Sequence, residues 1–283
     1  MAKKETGKKA FVYRYFHNAT GHWNDVYEGG DMEALHLKLR MENVLARIDG
    51  LGLPEGARVL DLGCGAGLMT VELLRRQLRV DAFDISDNML KAAEKNCREA
   101  GFLEGVSFVQ GDAEELNLPD GQFDLVVSMG LIGYVPDWEN VVQMVSHVIK
   151  PDGHIVLTFQ AKYGLSYLLN PRMLRLGTIK NFVLRKSPSK RIPQEDRYSG
   201  RSFKGTLQNN GFVIVSDCTI GFGPFWILGQ TVIPEKLGIR TYINMQKLAD
   251  SHRIPYLDRL GKTCIVTARR SGVDSKQLAA VKS

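Results

Sequence analysis

Val59-Leu60-Asp61-Leu62-Gly63-Cys64-Gly65-Ala66-Gly67 is the stretch on which the fold turns. Val59 to Leu62 reads as the end of a buried strand. Glycines at 63, 65 and 67 let the backbone bend where a side chain would collide with a ligand. A helix follows at once, with Leu68, Val71, Leu73 and Leu74 on its inner face. Such a strand-loop-helix unit presents free backbone N–H groups and a positive helix end to something polar or anionic.

Outward from this loop, Arg58 to Gln160 alternates strands and helices: strands 58–62, 79–84, 106–110, 123–128 and 153–159, helices 67–77, 87–100 and 138–149. Alternation of this kind predicts a parallel sheet with right-handed crossovers and ligands at the carboxyl ends of its strands. Ser86 is placed to cap the helix at 87. Gly63, Asp84, Asp112 and the residues after Ser128 then share one rim. A dinucleotide fingerprint would need glycine at position 68, where Leu68 stands.

The pattern present is Asp-x-Gly-x-Gly-x-Gly, which resembles the first motif of the class I S-adenosylmethionine-dependent methyltransferases. The resemblance continues in register for roughly the next hundred residues, through Asp84 closing the second strand, Gly111-Asp112-Ala113 after the third, Phe123 to Ser128 as the fourth, and Lys150-Pro151-Asp152-Gly153-His154 before the fifth. It implies an α/β fold: a Rossmann-like, seven-stranded, mostly parallel sheet with one antiparallel strand, helices on both faces and helical lid insertions. A helix at Arg201 to Asn210 and strands at Phe212 to Cys218 and Lys262 to Ala268 complete it.

The resemblance further implies S-adenosylmethionine as cofactor, held by Asp61, Gly63, Cys64, Gly65, Asp84, Ile85, Asp112, Ala113, Ser128 and Met129. Tyr15, Tyr27 and Arg40 of the amino-terminal segment join them, Arg40 as a fork for the cofactor carboxylate or else as a solvated arginine on a helix face. The Tyr15-Phe16 and Trp23 to Tyr27 spacing is similar to that of magnesium-protoporphyrin methyltransferases, while the core resembles the quinone-biosynthesis enzymes. Methyl transfer from a sulfonium needs no metal and no side-chain nucleophile. For a hydroxyl acceptor, His17, His22 and Tyr134 are the candidate catalytic groups.

The 283 residues, 44% hydrophobic, suffice for one large domain with insertions. The expected division is a mobile tail at 1–10, one methyltransferase domain at 11–270 and a second tail at 271–283. The domain comprises an amino-terminal cap at 11–50, a cofactor-binding core at 55–160 and substrate-lid insertions at 161–199 and 221–260. Four scattered cysteines suggest neither zinc nor disulfides. No run nears the ~18 apolar residues of a membrane span, so the expectation is a cytoplasmic protein.

Nine Lys or Arg face two acids between Gln160 and Gly200, a net +7 in a chain whose total is +6. This basic insertion is expected to meet an anionic surface, such as a membrane touched peripherally, or an anionic substrate. The apolar run Phe225-Trp226-Ile227-Leu228 needs cover, either from Leu165, Leu168 and Leu169 of the first insertion or from an acceptor, which would then be an apolar or amphipathic small molecule. Two readings stand beside this one: an RNA methyltransferase using the basic insertion, though no Asn-Pro-Pro-Tyr-type motif follows the fourth strand, and a non-catalytic cofactor-binding regulatory module.

Overall fold

The computed structural model describes residues 2–165, 193, 195–223, 226–227, 230–231, 234–251, 254 and 256–272. Helices α1 (Ala2–Asn18), α2 (Thr20–Asp25) and α3 (Met32–Asp49) precede the alternating core. The core runs β1 (Arg58–Leu62), α4 (Leu68–Arg75), β2 (Arg79–Asp84), α5 (Asp87–Glu99), β3 (Val106–Gln110), β4 (Phe123–Met129), α6 (Trp138–Val148) and β5 (Ile149–Ala161). A short β6 (Arg197–Tyr198), α7 (Gly200–Asn209), β7 (Phe212–Ile220), the strand pair β8 (Trp226–Ile227) and β9 (Gln230–Thr231), α8 (Glu235–Asp250) and β10 (Thr263–Arg270) follow.

The main sheet has the order β3-β2-β1-β4-β5-β10-β7. Its first five strands are parallel, and β10 is the one antiparallel member, paired with both β5 and β7. The seven expected strands are joined by an eighth: β6 pairs with the end of β5 at Gln160 and Ala161, beyond its last pair with β4 at Thr158. The chain order reverses between β1 and β4, so a crevice opens at their carboxyl ends.

Strand alternation builds two cores. Leu60, Leu62, Val126, Ile155 and Leu157 point to the face covered by α6 and α7, where Trp138, Val145 and Phe203 pack on them. Val59, Leu125, Val127 and Val156 point to the face covered by α3 and α4, against Val44, Ile48 and Leu73. Asp61 shares the second face and is buried beneath α4, where the Thr70 hydroxyl donates to its Oδ2 at 2.6 Å. Ser86 caps α5 as expected, accepting from the Met89 N–H.

The expected tail at 1–10 is instead helical from Ala2, as the first half of α1. Polar contacts hold that helix down: Lys8 pairs with Asp196, and Lys9 with Asp112 and Glu114. Most of the first insertion, with the basic residues Arg172 to Arg191, lies outside the described residues, as do Phe225, Leu228, the side chains of Trp226 and Ile227, and 273–283. Phe222, just before that apolar run, is fully buried with Ala249 and Leu257. Among the described residues no helix is long and apolar enough to cross a membrane.

Candidate active site

Two adjoining cavities open at the carboxyl edge of the sheet. The first is floored by the loop after β1 and the first turn of α4 and walled by Asp84-Ile85, Asp112-Ala113 and Met129-Gly130, with Val12 and Phe16 of α1 above. Gly63, Gly65 and Gly67 all have positive φ (78°, 54° and 80°). A Cβ at Gly67 would lie 2.7 Å from that of Ala93, so glycine is what lets α5 approach the loop. At Gly65 a Cβ would meet nothing within 4 Å.

Asp84 closes β2 beside this loop. Its Oδ2 accepts from the Gly65 N–H and its Oδ1 from the Ser86 N–H, each at 2.9 Å. Burial pushes its carboxyl up, and these backbone donors pull against that shift. Asp61 is pushed up to about 7, by burial first and by the neighbouring Asp84 charge, with the Thr70 bond opposing. Burial also pushes the Cys64 thiol well up, so it is no thiolate nucleophile near neutral pH.

Arg40 reaches the site from α3. It is only 7% exposed, its Nε is buried without a partner, and among the described residues no hydrogen bond or ion pair holds its guanidinium. The fork lies against Gly130, where a Cβ would come within 3.0 Å of Nη1. A desolvated cation without a partner is costly, which marks this arginine as awaiting an anion.

The second, more open cavity shares Trp23, Arg40, Tyr134 and Glu195 with the first. Tyr134 donates its hydroxyl to Glu195 Oε1 at 2.9 Å. Burial, then the Glu195 charge, raises the phenol far above its ordinary range, so Tyr134 stays a proton donor and is no general base. Beyond this wall lie Tyr15, His22, His36, Gln160 and Lys262. His36 is fixed between the Tyr242 hydroxyl at 2.8 Å and the Thr263 hydroxyl at 3.0 Å.

The loop cavity therefore gathers Tyr27, Arg40, Asp61, Gly63, Cys64, Gly65, Asp84, Ile85, Asp112, Ala113, Met129 and Tyr134 of the expected residues. Four expectations are displaced. Ser128 is fully buried and donates to the Leu62 carbonyl at 3.0 Å, a bond that joins two strands and leaves nothing for a ligand. Tyr15 and His22 line the second cavity. His17 lies on the outer side of α5, its Nδ1 3.2 Å from Asp87, and its carbonyl accepts from Asn88. Glu195 and Lys262 were not singled out by the sequence, since only the tertiary fold brings them to the rim.

Residues 59–153 match the family described as "Methyltransferase domain". A ubiquinone biosynthesis O-methyltransferase of Escherichia coli O6:H1 is 31% identical over 180 residues, 59% of this chain and 72% of the relative. The chain belongs to the class I S-adenosylmethionine-dependent methyltransferases. A ubiquinone/menaquinone biosynthesis C-methyltransferase of Psychromonas ingrahamii is 34% identical over 113 residues, covering 39% of this methyltransferase and 45% of the relative. Among solved structures, the magnesium protoporphyrin IX methyltransferase of Synechocystis PCC 6803 with bound SAH has the same fold. It aligns at TM-score 0.63 and 18% identity over 93% of this chain and 100% of its own.

The loop cavity fits the methyltransferase cofactor on its own chemistry. An open glycine cradle, a rim carboxylate held by backbone donors and a guanidinium whose buried Nε has no partner among the described residues match a ligand carrying ribose hydroxyls, an ammonium and a carboxylate.

Proposed function

We propose that this enzyme methylates a small molecule seated in the second cavity, with the transfer crossing the wall at Arg40, Tyr134 and Glu195. The observation that carries the reading is the sharing of these residues by two cavities at the carboxyl edge of β1 and β4. Asp84 would accept from the ribose hydroxyls, Asp61 would face the cofactor ammonium, and Arg40 would hold its carboxylate. Asp112, whose Oδ1 accepts from the Glu114 N–H, stands on the adenine side.

Bound there, the cofactor would supply an electrophilic methyl carbon on a sulfonium, open to direct displacement by an electron-rich acceptor atom with the thioether sulfur as leaving group. The protein's share is alignment and exclusion of water, to which α1 contributes by roofing the cavity. For a hydroxyl acceptor, Glu195 is the base that takes the departing proton, with the Tyr134 hydroxyl steadying its carboxylate.

The quinone-biosynthesis relatives support an aromatic hydroxyl or ring-carbon acceptor over RNA. An apolar or amphipathic acceptor and a peripheral membrane contact are compatible with that class. Incubating the purified chain with methyl-labelled S-adenosylmethionine and a metabolite extract, then resolving labelled products by mass spectrometry, tests the reading. Label in a small molecule supports it, and label confined to RNA overturns it.

A further inference from the structure

The second cavity is rich in hydrogen-bond donors and poor in free acceptors. Lys262, just before β10, reaches it beside Gln160 and Arg197. Among the described residues no hydrogen bond or ion pair engages its ammonium. The Trp23 indole Nε1, on the shared wall, is buried without a partner. Of the two carboxylates lining the cavity, Glu195 already accepts from Tyr134 and Glu33 lies exposed on α3.

Burial lowers the Lys262 pKa, and charges of both signs act on the ammonium from a distance: Glu195 and Glu33 pull the pKa up, Arg40 and Arg197 push it down. His36 is driven well down by burial and by the Lys262 and Arg40 charges, so it stays neutral and adds no cation. A partly desolvated lysine with no carboxylate in direct contact among the described residues carries a cost that an anion would remove, converting unmet donors into charge-assisted hydrogen bonds. Arg40 faces the cofactor side in the reading above, which leaves Lys262 and the indole N–H for the acceptor.

We propose that the methyl acceptor carries a carboxylate, and that Lys262 together with the Trp23 indole N–H holds it in the second cavity while the acceptor's nucleophilic atom faces the Tyr134 wall. This rests on the second cavity being the acceptor site. It names the acceptor's chemical class, a carboxylated small molecule, and makes Lys262 a specificity determinant.

The test uses the full chain saturated with S-adenosylhomocysteine and three probes: protocatechuate, its methyl ester and catechol. Calorimetry should show the acid binding at least about tenfold more tightly than the ester or catechol, the scale of one charge-assisted hydrogen bond. Lys262→Met should abolish that preference while ester and S-adenosylhomocysteine affinities stay as in the wild type, and Lys262→Arg should retain part of it. Thermal melting confirms that each variant is folded. Equal binding of acid and ester by the wild type, including no binding of either, overturns the proposal, as does an undiminished preference in Lys262→Met. Failure of the wild type to bind S-adenosylhomocysteine would instead overturn the assignment of the loop cavity.

Discussion

Tyr134 and Glu195, 61 positions apart in the chain, are joined by a 2.9 Å hydrogen bond at the wall between the two cavities. The bond exists because β6 pairs beside the end of β5 and because Asp196 N–H donates to the Gly133 carbonyl at 2.7 Å, drawing the 195–198 segment against the loop after β4. Glu195→Gln keeps the shape and removes the base. Turnover of a hydroxyl acceptor should fall by about 10²–10⁴ with S-adenosylhomocysteine affinity unchanged, measured by steady-state kinetics beside calorimetry. Turnover equal to the wild type would remove Glu195 from the chemistry.

Arg40 carries an opposite pair of expectations. Arg40→Met should weaken S-adenosylhomocysteine binding by about 1.5–3 kcal/mol, through loss of a charged hydrogen bond to the ligand carboxylate. Stability of the ligand-free protein in urea should hold or rise, since a buried cation without a partner is removed. A large loss of stability with affinity intact would make the arginine structural.

Asp61 gives a pH dependence whose sign follows from its raised pKa. Burial holds the carboxyl at about 7 in the folded chain against an ordinary value of 3.8. The folded state thus binds the proton more tightly, and the stability this contributes is full below about pH 4 and lost as pH rises through about 7. A ligand ammonium favours the ionised form. Affinity for S-adenosylhomocysteine should therefore rise with pH, by up to about tenfold per unit below 7, and then level, with proton release on binding below that pH. Asp61→Asn should flatten the profile. A flat wild-type profile between pH 5.5 and 8 would contradict this role.

The cofactor half of the enzyme was legible because its signals are local. Glycine spacing, Ser86 before a helix and alternating apolar strands each act within a few residues, and β2 and β3 match their expected bounds. Strand alternation also separates Ser128 from Met129, since neighbours point to opposite faces: the serine turns to Leu62 O and the methionine ends at the rim. The second cavity was less legible. Lys8 and Lys9 read as a solvated tail because their anionic partners lie far along the chain, and Glu195 read as a stray acid in a basic segment. Lys262 stood at the edge of a strand, and only the approach of Gln160 and Arg197 gives its ammonium a setting.

Cofactor binding at the loop cavity is tested most directly by calorimetric titration of the purified full chain with S-adenosylhomocysteine, wild type against Asp84→Ala. The variant deletes a carboxylate whose two oxygens face the Gly65 and Ser86 N–H groups. One site per chain is expected in the wild type and a loss of about 1.5–3 kcal/mol in the variant, with melting showing it folded. Equal affinity in the two proteins would contradict binding at that cavity.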